Sequence, residues 1–342
     1  VEHHDHYACH ARAVFAASPF EEAAVLVLDG VAERWTGAVF HARRGAGIVL
    51  RSLMRFPFPH SLGLVYAAVT AHLGFVPNRE EGKVLAMGAF GDDRFSEAFR
   101  SLCRVEVGMP RVEQGPFDFA GWWTLPKFER TFGPRRDPGG PFLSEHFALA
   151  RALQTTVEAC GLDLAGEALS RSGCGNLCVA GGLALNPALN QALVARSGCR
   201  RFYAFPPGGD AGTALGAALA VNADPSWSLT NPFLGSSCAP VATGHPVLAE
   251  GNAAIEKAAD LLIGGALVGV CRGRAEMGPR ALGHRSILAD PRRPGVKERL
   301  NREVKRREAF QPFAPAVLAG RRLDELIDAE IALLVLQHIA GC

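Results

Sequence analysis

Two consecutive strand–turn–helix units between residues 177 and 222 constrain the fold of this chain most strongly. An apolar run at 177–180 is followed by Gly181 and Gly182 and then by a helical pattern. The same order repeats with an apolar run at 201–205, a Pro-Gly loop and a helical pattern at 210–222. Because strands that alternate with helices pair in parallel through crossover connections, this order predicts an α/β fold. Ligands of such sheets bind beyond the carboxyl ends of the strands, so we expect the residues of a functional site there.

Further strands and helices are predicted on both sides of these units. Residues 22–30 form an apolar run that ends at Asp29-Gly30, which is typical of a buried strand followed by a tight turn, with residues 35–40 as its hairpin partner. Residues 109–141 lack periodicity and are predicted to be an excursion between elements. The other predictions are helices at 61–73, 147–169 (a pair divided at Gly161), 251–262 and 296–304, and a strand at 266–271.

Composition limits the class of protein. With 48% apolar and 20% charged residues in 342, the chain is globular rather than disordered, collagenous or coiled-coil. Lys+Arg number 36 and Asp+Glu 34, so the chain lacks the strong positive electrostatic field that is typical of a dedicated nucleic-acid binder. Any anion-binding site must therefore arise from a local cluster of cations. We expect no nucleic-acid partner, and because no apolar run is long enough to span a bilayer we expect no membrane partner either. The oligomeric state stays open.

The cysteines indicate the redox environment. There are nine, an odd number at irregular intervals, which favours reduced thiols over a disulfide framework and predicts a cytoplasmic location. Cys174 and Cys178 are four residues apart with no second pair, so the sequence argues against a zinc site there.

Histidines near the amino terminus are candidate metal ligands. On a helix, His6 and His10 project from one face, so both imidazoles can reach one cation. The alternative is a solvated or accidental cluster, or a leftover tag. Asp29 strengthens the metal interpretation because it follows a buried strand, although a turn aspartate is equally compatible with the sequence. Asp210 precedes a predicted helix, where it is either an N-cap or a further ligand.

Glycine turns follow both strands of the repeated units. They leave backbone N–H groups unshielded beside a helix start, which suits a phosphate or nucleotide, and an asparagine can add a hydrogen bond. The candidate nucleotide-binding residues are Gly181, Gly182, Asn186, Gly209 and Gly212.

A cationic tract lies at residues 272–307, with twelve Lys/Arg against four Asp/Glu. Gly, Pro and small residues separate the arginines at the start of this tract, which is typical of a loop. Guanidinium groups in such loops suit bidentate phosphate binding. An RNA-binding patch and plain surface charge are the alternatives.

Many of these motifs, in this order, resemble the nodulation-type O-carbamoyltransferases, over about residues 1–318. The matching segments are His6-Tyr7-Ala8-Cys9-His10-Ala11, Val27-Leu28-Asp29-Gly30, Phe58-Pro59-His60-Ser61-Leu62-Gly63, Gly82-Lys83-Val84, Ala180-Gly181-Gly182-Leu183-Ala184-Leu185-Asn186, Gly209-Asp210-Ala211-Gly212-Thr213, residues 274–290 and Val304-Lys305-Arg306-Arg307-Glu308. Members of this family carbamoylate lipochitooligosaccharides, aminoglycosides and cephem antibiotics.

The resemblance implies an α/β protein of two parts. An actin-like (ASKHA) domain with mixed or parallel sheets would occupy residues 1–223, without its first strands. A linker at 224–245 would lead to a partial YrdC-like α/β domain at 246–342. We therefore expect a chain truncated at both ends, with the tail after Leu318 no longer resembling the family.

The resemblance also implies the chemistry and its residues. A divalent metal, Fe²⁺ first, would be held by His6, His10, Asp29 and Asp210. Carbamoyl phosphate and ATP with Mg²⁺ would be held in the YrdC-like part by Arg274, Arg280, Arg285, Lys305 and Arg307. Carbamoyl-adenylate formed there would transfer its carbamoyl group to a hydroxyl of a sugar, antibiotic or other secondary metabolite in the actin-like part.

Three departures from the family pattern qualify this expectation. The element that carries the proposed general base is expected upstream of Val1, so no catalytic base is assigned. Tyr7 and Gln311 replace a usual histidine and a usual arginine. The alternatives are a non-catalytic nucleotide- or metal-binding fragment and a threonylcarbamoyl-tRNA-type relative. Hydrogenase-maturation carbamoylation is disfavoured because that family has its two domains in the opposite order.

Overall fold

The computed structural model describes residues 2–121, 123–222, 229, 231–238, 244 and 246–314. The chain divides into two compact units, Val1–Thr230 and Asn231–Ala340. Much of the predicted linker at 224–245, and all of the tail after Leu318, lie outside the described residues. The domain boundaries at 223/224 and 245/246 therefore stay predictions.

Strands and helices alternate through the first unit. In chain order its strands are β1 (Glu22–Ala32), β2 (Trp35–Arg44), β3 (Ile48–Pro57), β4 (Cys103–Glu106), β5 (Met109–Val112), β6 (Phe117–Asp118), β7 (Trp123–Thr124), β8 (Asn176–Ala180) and β9 (Arg201–Ala204). Its helices are α1 (His6–Ala17), α2 (Leu62–His72), α3 (Glu81–Gly88), α4 (Ser96–Arg100), α5 (Pro126–Phe132), α6 (Ser144–Ser172), α7 (Pro187–Arg196) and α8 (Thr213–Val221), with short 3₁₀ turns at Gly182–Leu185 and Asp210–Gly212.

A five-stranded sheet in the order β3-β2-β1-β8-β9 forms the centre of the first unit. Strand β1 pairs antiparallel with β2, with Leu26 opposite Val39, and parallel with β8, with Leu26 opposite Val179. Strand β9 continues the parallel part. The run from Ala23 to Leu28 is buried because β1 is central and covered on both faces. The predicted α/β class with a mixed sheet is confirmed, and the narrower actin-like and YrdC-like assignments remain implications of the resemblance.

Two predictions about the first unit were wrong. The expected helix pair at 147–169 is the single helix α6. Gly161 does not break it, because a Cβ there would lie 2.5 Å from Leu189 Cδ1 and the glycine instead permits close packing against α7. The expected excursion at 109–141 contains β5, β6, β7 and α5, which are too short to give a clear period in the sequence.

Helix α8 approaches α1 closely enough to require a glycine. A Cβ at Gly216 would lie only 1.9 Å from the carbonyl oxygen of Cys9. This contact brings the turn that precedes α8 next to the first turn of α1. The histidines of α1 and the aspartate before α8 are therefore neighbours in space although 200 residues separate them.

The second unit contains helix α9 (Gly251–Ile263), strands β10 (Val268–Cys271) and β11 (Arg285–Leu288), and helix α10 (Val296–Arg299), which continues as a π-helical turn at Leu300–Lys305. Strands β10 and β11 pair antiparallel. Cys238 is bonded to Cys271, so the expectation that all cysteines are reduced is wrong for this pair, which sequence spacing could not reveal.

Six other cysteines are free thiols: Cys9, Cys103, Cys160, Cys174, Cys178 and Cys199. Among the described helices, none has the length and apolar character needed to cross a bilayer.

Candidate metal centre

Four side chains from three distant parts of the chain converge near the carboxyl end of β1, just past its last parallel pair with β8. His6 Nε2 lies 2.9 Å from Asp29 Oδ2 and 3.1 Å from His10 Nε2. Asp210 Oδ1 lies 3.4 Å from His10 Nε2 and 3.7 Å from His6 Nε2. One ligand atom of each residue falls within 4.8 Å of the others. Two imidazole nitrogens and two carboxylate oxygens in this arrangement suit a divalent transition metal.

The four groups differ sharply in exposure. The side chain of His10 is 1% exposed and that of Asp29 13%, whereas that of Asp210 is 78% exposed. The centre is thus closed by α1 and the sheet on one side and open on the side of Asp210. Within the described part of the first unit, solvent therefore reaches the group from the side of Asp210.

The first turn of α1 is held by a capping aspartate and an arginine. Asp5 Oδ1 accepts the N–H of Ala8 at 2.7 Å, which is a helix N-cap. Arg55 on β3 donates to both carboxylate oxygens of Asp5, at 2.9 and 3.0 Å. Because His6 follows Asp5 directly, this bidentate pair fixes the start of the helix that presents both imidazoles.

Tyr7 packs edge-on against the ring of His6, with 5.1 Å between the ring centroids, and is not one of the four candidate ligands. It is fully buried, and its hydroxyl donates to the carbonyl of Trp35 at 2.5 Å. The family's usual histidine at this position is therefore not needed to complete the four-ligand group in this chain.

The two histidines stabilise the ionised form of Asp29 although its side chain is largely buried. Burial raises the pKa of Asp29, but the hydrogen bonds of His10 and His6 outweigh it and hold that pKa far below its usual range. The hydrogen bond to Asp29 raises the pKa of His6, and burial opposes it in part. Asp29 is consequently an anion ready to coordinate a cation.

Gly181 and Gly182 lie beside Asp29, where they form a glycine wall, and nucleotide binding by them stays a prediction. Gly181 has φ +89°, and a Cβ there would lie 2.2 Å from the carbonyl oxygen of Leu28. The N–H of Gly182 donates to Asp29 Oδ1 at 3.1 Å, which leaves Oδ2 facing the histidines. The first of the two glycine turns is therefore part of the same centre.

The remaining nucleotide-binding candidates have packing or capping roles in the described structure. Asn186 is buried, caps α7 by accepting the N–H of Leu189 at 3.0 Å, and donates to Gln154 at 2.9 Å. A Cβ at Gly212 would lie 2.3 Å from the carbonyl oxygen of Pro207, and one at Gly209 would touch Leu185 at 3.4 Å. A nucleotide contact for these three residues stays a prediction.

Two of the predicted phosphate-binding arginines brace loops of the second unit. Arg274 donates to the carbonyls of Gly235 and Leu234, at 2.9 and 2.5 Å. Arg285 donates to the carbonyls of Arg272, Ser236 and Gly273, among others.

The other predicted cations of that unit lie further along the chain. Arg307 donates to Asn301 Oδ1 at 2.7 Å and to the carbonyl of Pro312 at 2.9 Å. Burial lowers the pKa of Arg307, the charge of Glu308 opposes this effect, and the charge of Arg280 adds to it. Arg280 and Lys305 are exposed.

Sequence reasoning missed two features of the first unit. The first is the Asp5–Arg55 support, for which the capping position of Asp5 was the available signal. The second is a group formed by Glu22, His41 and Cys174, which also has one ligand atom of each residue within 4.8 Å of the others. No spacing in the sequence connects these three residues.

Comparison with known proteins assigns the chain. The family described as "Carbamoyltransferase N-terminus" matches residues 1–219, and "Carbamoyltransferase C-terminus" matches residues 259–334. The chain therefore belongs to the carbamoyltransferase family. The C-terminal match extends to residue 334, so the expectation that the resemblance ends near Leu318 was wrong.

Among similar proteins, nodulation protein NolO of Bradyrhizobium diazoefficiens is 35% identical, over 92% of this chain and 58% of its own length. Nodulation protein NolNO of Sinorhizobium fredii is 33% identical, over 92% of this chain and 47% of its own. The uncharacterized protein sll1178 of Synechocystis is 35% identical, over 93% of this chain and 55% of its own. The chain thus spans about half the length of the curated relatives it matches.

A solved structure, that of HypF from T. kodakarensis, aligns with a TM-score of 0.33 and 16% identity, over 63% of this chain and 35% of that one.

Proposed function

We propose that this chain is the metal-bearing part of an O-carbamoyltransferase that transfers the carbamoyl group of carbamoyl-adenylate to an acceptor hydroxyl. The observation that carries the proposal is the convergence of His6, His10, Asp29 and Asp210 near the carboxyl end of β1. Membership of the carbamoyltransferase family and similarity to nodulation proteins support a sugar or other secondary metabolite as the acceptor.

His6, His10, Asp29 and Asp210 would hold the metal, with Fe²⁺ as our first choice. Their nitrogen and oxygen donors fit a first-row divalent ion, and the bound ion would supply a Lewis acid beside the carbamoyl carbonyl. His10 and Asp29 fix the position of the centre because both are buried. Asp210 lies at the open side, where the acceptor would enter.

The glycine wall would admit the adenylate. Side chains at Gly181 and Gly182 would obstruct the space beside Asp29, since a Cβ at Gly182 would lie 3.3 Å from Asp29 Oδ1. Gly209, in the turn that carries Asp210, would present its backbone N–H to a phosphate oxygen. Gly212 would shape that turn, because its own N–H donates to the carbonyl of Gly209 at 2.9 Å. Asn186 would act indirectly, because its side chain caps the first turn of α7.

In the second unit, we infer that Arg280 and Arg307 form an anion subsite for carbamoyl phosphate or for ATP with Mg²⁺. The family resemblance supports this, and so does the chemistry of the guanidinium group, which suits bidentate contacts with phosphate oxygens. Lys305 would contribute a further charge, whereas Arg274 and Arg285 would shape the loop. A cytoplasmic location, supported by the six free thiols, is part of the proposal.

The test is an assay of the purified 342-residue chain with carbamoyl phosphate, MgATP and Fe²⁺ under anaerobic conditions. We expect phosphate and pyrophosphate release and carbamoyl-adenylate detectable by mass spectrometry. Addition of an oligosaccharide acceptor should consume the adenylate in a metal-dependent way. The variant His6→Ala should lose the metal-dependent step, and the matched variant His3→Ala, near the same terminus, should keep it.

Other outcomes would replace the proposal. Binding of metal and ATP by calorimetry without any turnover would identify a non-catalytic binding fragment. An electrophoretic shift of tRNA at moderate salt would favour a threonylcarbamoyl-tRNA-type relative. Full acceptor-dependent turnover in His6→Ala would contradict the metal assignment itself.

A further inference from the structure

A second group of potential metal ligands lies at the amino end of β1. Glu22 is the first residue of β1, His41 lies on β2, and Cys174 lies in the turn between α6 and β8. His41 Nε2 is 2.6 Å from Glu22 Oε1, and one ligand atom of each of the three residues lies within 4.8 Å of the others. The side chain of Glu22 is 50% exposed and that of His41 18% exposed. The group therefore has a protected side and a side open to water.

Sheet register explains why Glu22 and His41 meet. Ala24 of β1 lies opposite His41, and Glu22 lies opposite Arg43. Glu22 and His41 are therefore diagonal neighbours on one face of the antiparallel pair, close enough for long side chains to touch.

Backbone hydrogen bonds hold the third residue of the group. Gly173, with φ +72°, ends α6 in the left-handed conformation and turns the chain toward β8. The N–H of Cys174 donates to Ser172 Oγ at 3.1 Å, and Asn176 Nδ2 donates to the carbonyl of Glu22 at 2.9 Å. The thiol is thus carried by a turn that is tied directly to the first residue of β1.

We propose that Glu22, His41 and Cys174 bind Zn²⁺, with water as the fourth ligand. One thiolate, one imidazole and one carboxylate form a donor set that zinc accepts in tetrahedral sites. Coordination replaces the S–H bond of Cys174 by a bond to the metal, and the thiol proton leaves to solvent. An exposed histidine–glutamate pair alone contributes little stability, whereas a bound ion would join β1, β2 and the α6–β8 turn.

This site is separate from the centre at Asp29. Glu22 and Asp29 are seven positions apart along β1, which corresponds to roughly 23 Å at about 3.3 Å per residue. One ion cannot contact both groups, and loss of one site need not affect the other. The inference therefore does not depend on the proposed carbamoyl transfer.

Cobalt substitution tests the zinc site directly. The purified full chain is loaded with Co²⁺, and the charge-transfer absorption of a cobalt–thiolate bond is recorded. We expect this absorption in the unsubstituted chain and its loss in Cys174→Ser and in His41→Ala. Two matched controls should keep it: Cys199→Ser, which removes another half-buried free thiol of the same unit, and Asp210→Asn, which alters only the other centre.

Zinc analysis after dialysis gives a second readout. The Asp210→Asn variant should retain zinc at this site, and Cys174→Ser should lose one zinc per chain relative to the unsubstituted protein. A chain without thiolate absorption, or one whose absorption persists in Cys174→Ser, would overturn the inference and leave Glu22 and His41 as a surface ion pair. Failure of carbamoyl transfer with the absorption intact would count against the proposed function alone.

Discussion

The two ends of β1 carry groups of ligand-type side chains that are built in different ways. At the carboxyl end, Asp29 meets two histidines of one helix turn, and His10 is 1% exposed. At the amino end, Glu22 meets a thiol and an imidazole, and half of the Glu22 side chain is exposed. The first group uses only nitrogen and oxygen donors, whereas the second includes sulfur. If both proposals hold, β1 carries a largely buried metal centre at one end and a more open site of different metal preference at the other.

Support around the two groups differs as well. The carboxyl end has a glycine wall and the Asp5–Arg55 pair behind α1. The amino end depends on sheet register and one short turn. Disturbing the packing of α1 and α8 should therefore damage the carboxyl end and leave the amino end intact.

The largest effect is expected for Gly216→Val. The new side chain would collide with the carbonyl of Cys9, and overpacking against backbone should reduce the free energy of unfolding of the first unit by about 3 kcal/mol or more. Denaturant unfolding followed by circular dichroism measures it. The control Gly166→Ala lies inside α6 with open space at its Cβ position and should stabilise the unit by about 0.5–1 kcal/mol. Equal behaviour of the two variants would refute the close α1–α8 contact.

Acid should weaken the unit that carries both groups, through His72. Burial, and then the charges of Arg135 and His146, lower its pKa to about 4 from the ordinary 6.5. The unfolded chain therefore binds more protons than the folded one between these values. The contribution of neutral His72 is complete above about pH 6.5 and is lost as the pH falls toward 4, on the order of 2 kcal/mol.

Unfolding midpoints measured between pH 7 and pH 4 check this prediction. The variant His72→Gln, which cannot titrate, should show a smaller loss over the same range. An unchanged slope would show that other groups control acid stability. Metal binding at the two ends of β1 is best compared at pH 7 or above for this reason.

A smaller and more selective effect is expected for Arg55→Met. Loss of the bidentate contact frees Asp5 and loosens the first turn of α1, so metal affinity at the carboxyl end should fall about tenfold. Calorimetric titration with Mn²⁺ measures this, and the exposed Arg100→Met serves as control. Cobalt–thiolate absorption should not change. If it weakened in parallel, the two ends of β1 would not be independent.

No effect at all is expected for Cys174→Ser on Mn²⁺ binding. Manganese prefers oxygen and nitrogen donors over thiolate, so it should select the carboxyl end. Electron paramagnetic resonance of free Mn²⁺ should give the same stoichiometry for the variant and the unsubstituted chain. A decrease would mean that manganese also uses the thiol group.

The sequence predicted β1, β2, β8 and β9 of the central sheet but not β3. The structure brings the side chains of His6, His10, Asp29 and Asp210 together, and metal binding by them stays a prediction. The strands and this grouping could be predicted because the buried strand, the glycine turns and the i, i+4 histidines are local signals, and family resemblance connected them to Asp210. The order β3-β2-β1-β8-β9 shows why the prediction worked, since β1 and β8 are adjacent and parallel.

The missed features depend on contacts between distant residues. Cys174 was set aside because no second cysteine pair exists, yet its neighbours are a glutamate and a histidine brought in by β1 and β2. Gly161 was interpreted as a helix break. Its actual role, close packing against Leu189 of α7, could not be predicted because the two residues are distant in the sequence. The bond between Cys238 and Cys271 likewise follows from tertiary structure and not from spacing.

Binding of one first-row divalent ion near the carboxyl end of β1 is tested most directly by anaerobic titration with Fe²⁺. The unsubstituted chain should bind one Fe²⁺ with defined stoichiometry at this end, and His10→Ala should lose that binding while retaining the cobalt–thiolate absorption of the other end. Unchanged Fe²⁺ affinity in His10→Ala would contradict the account, because no other described residue could replace this buried imidazole in the group.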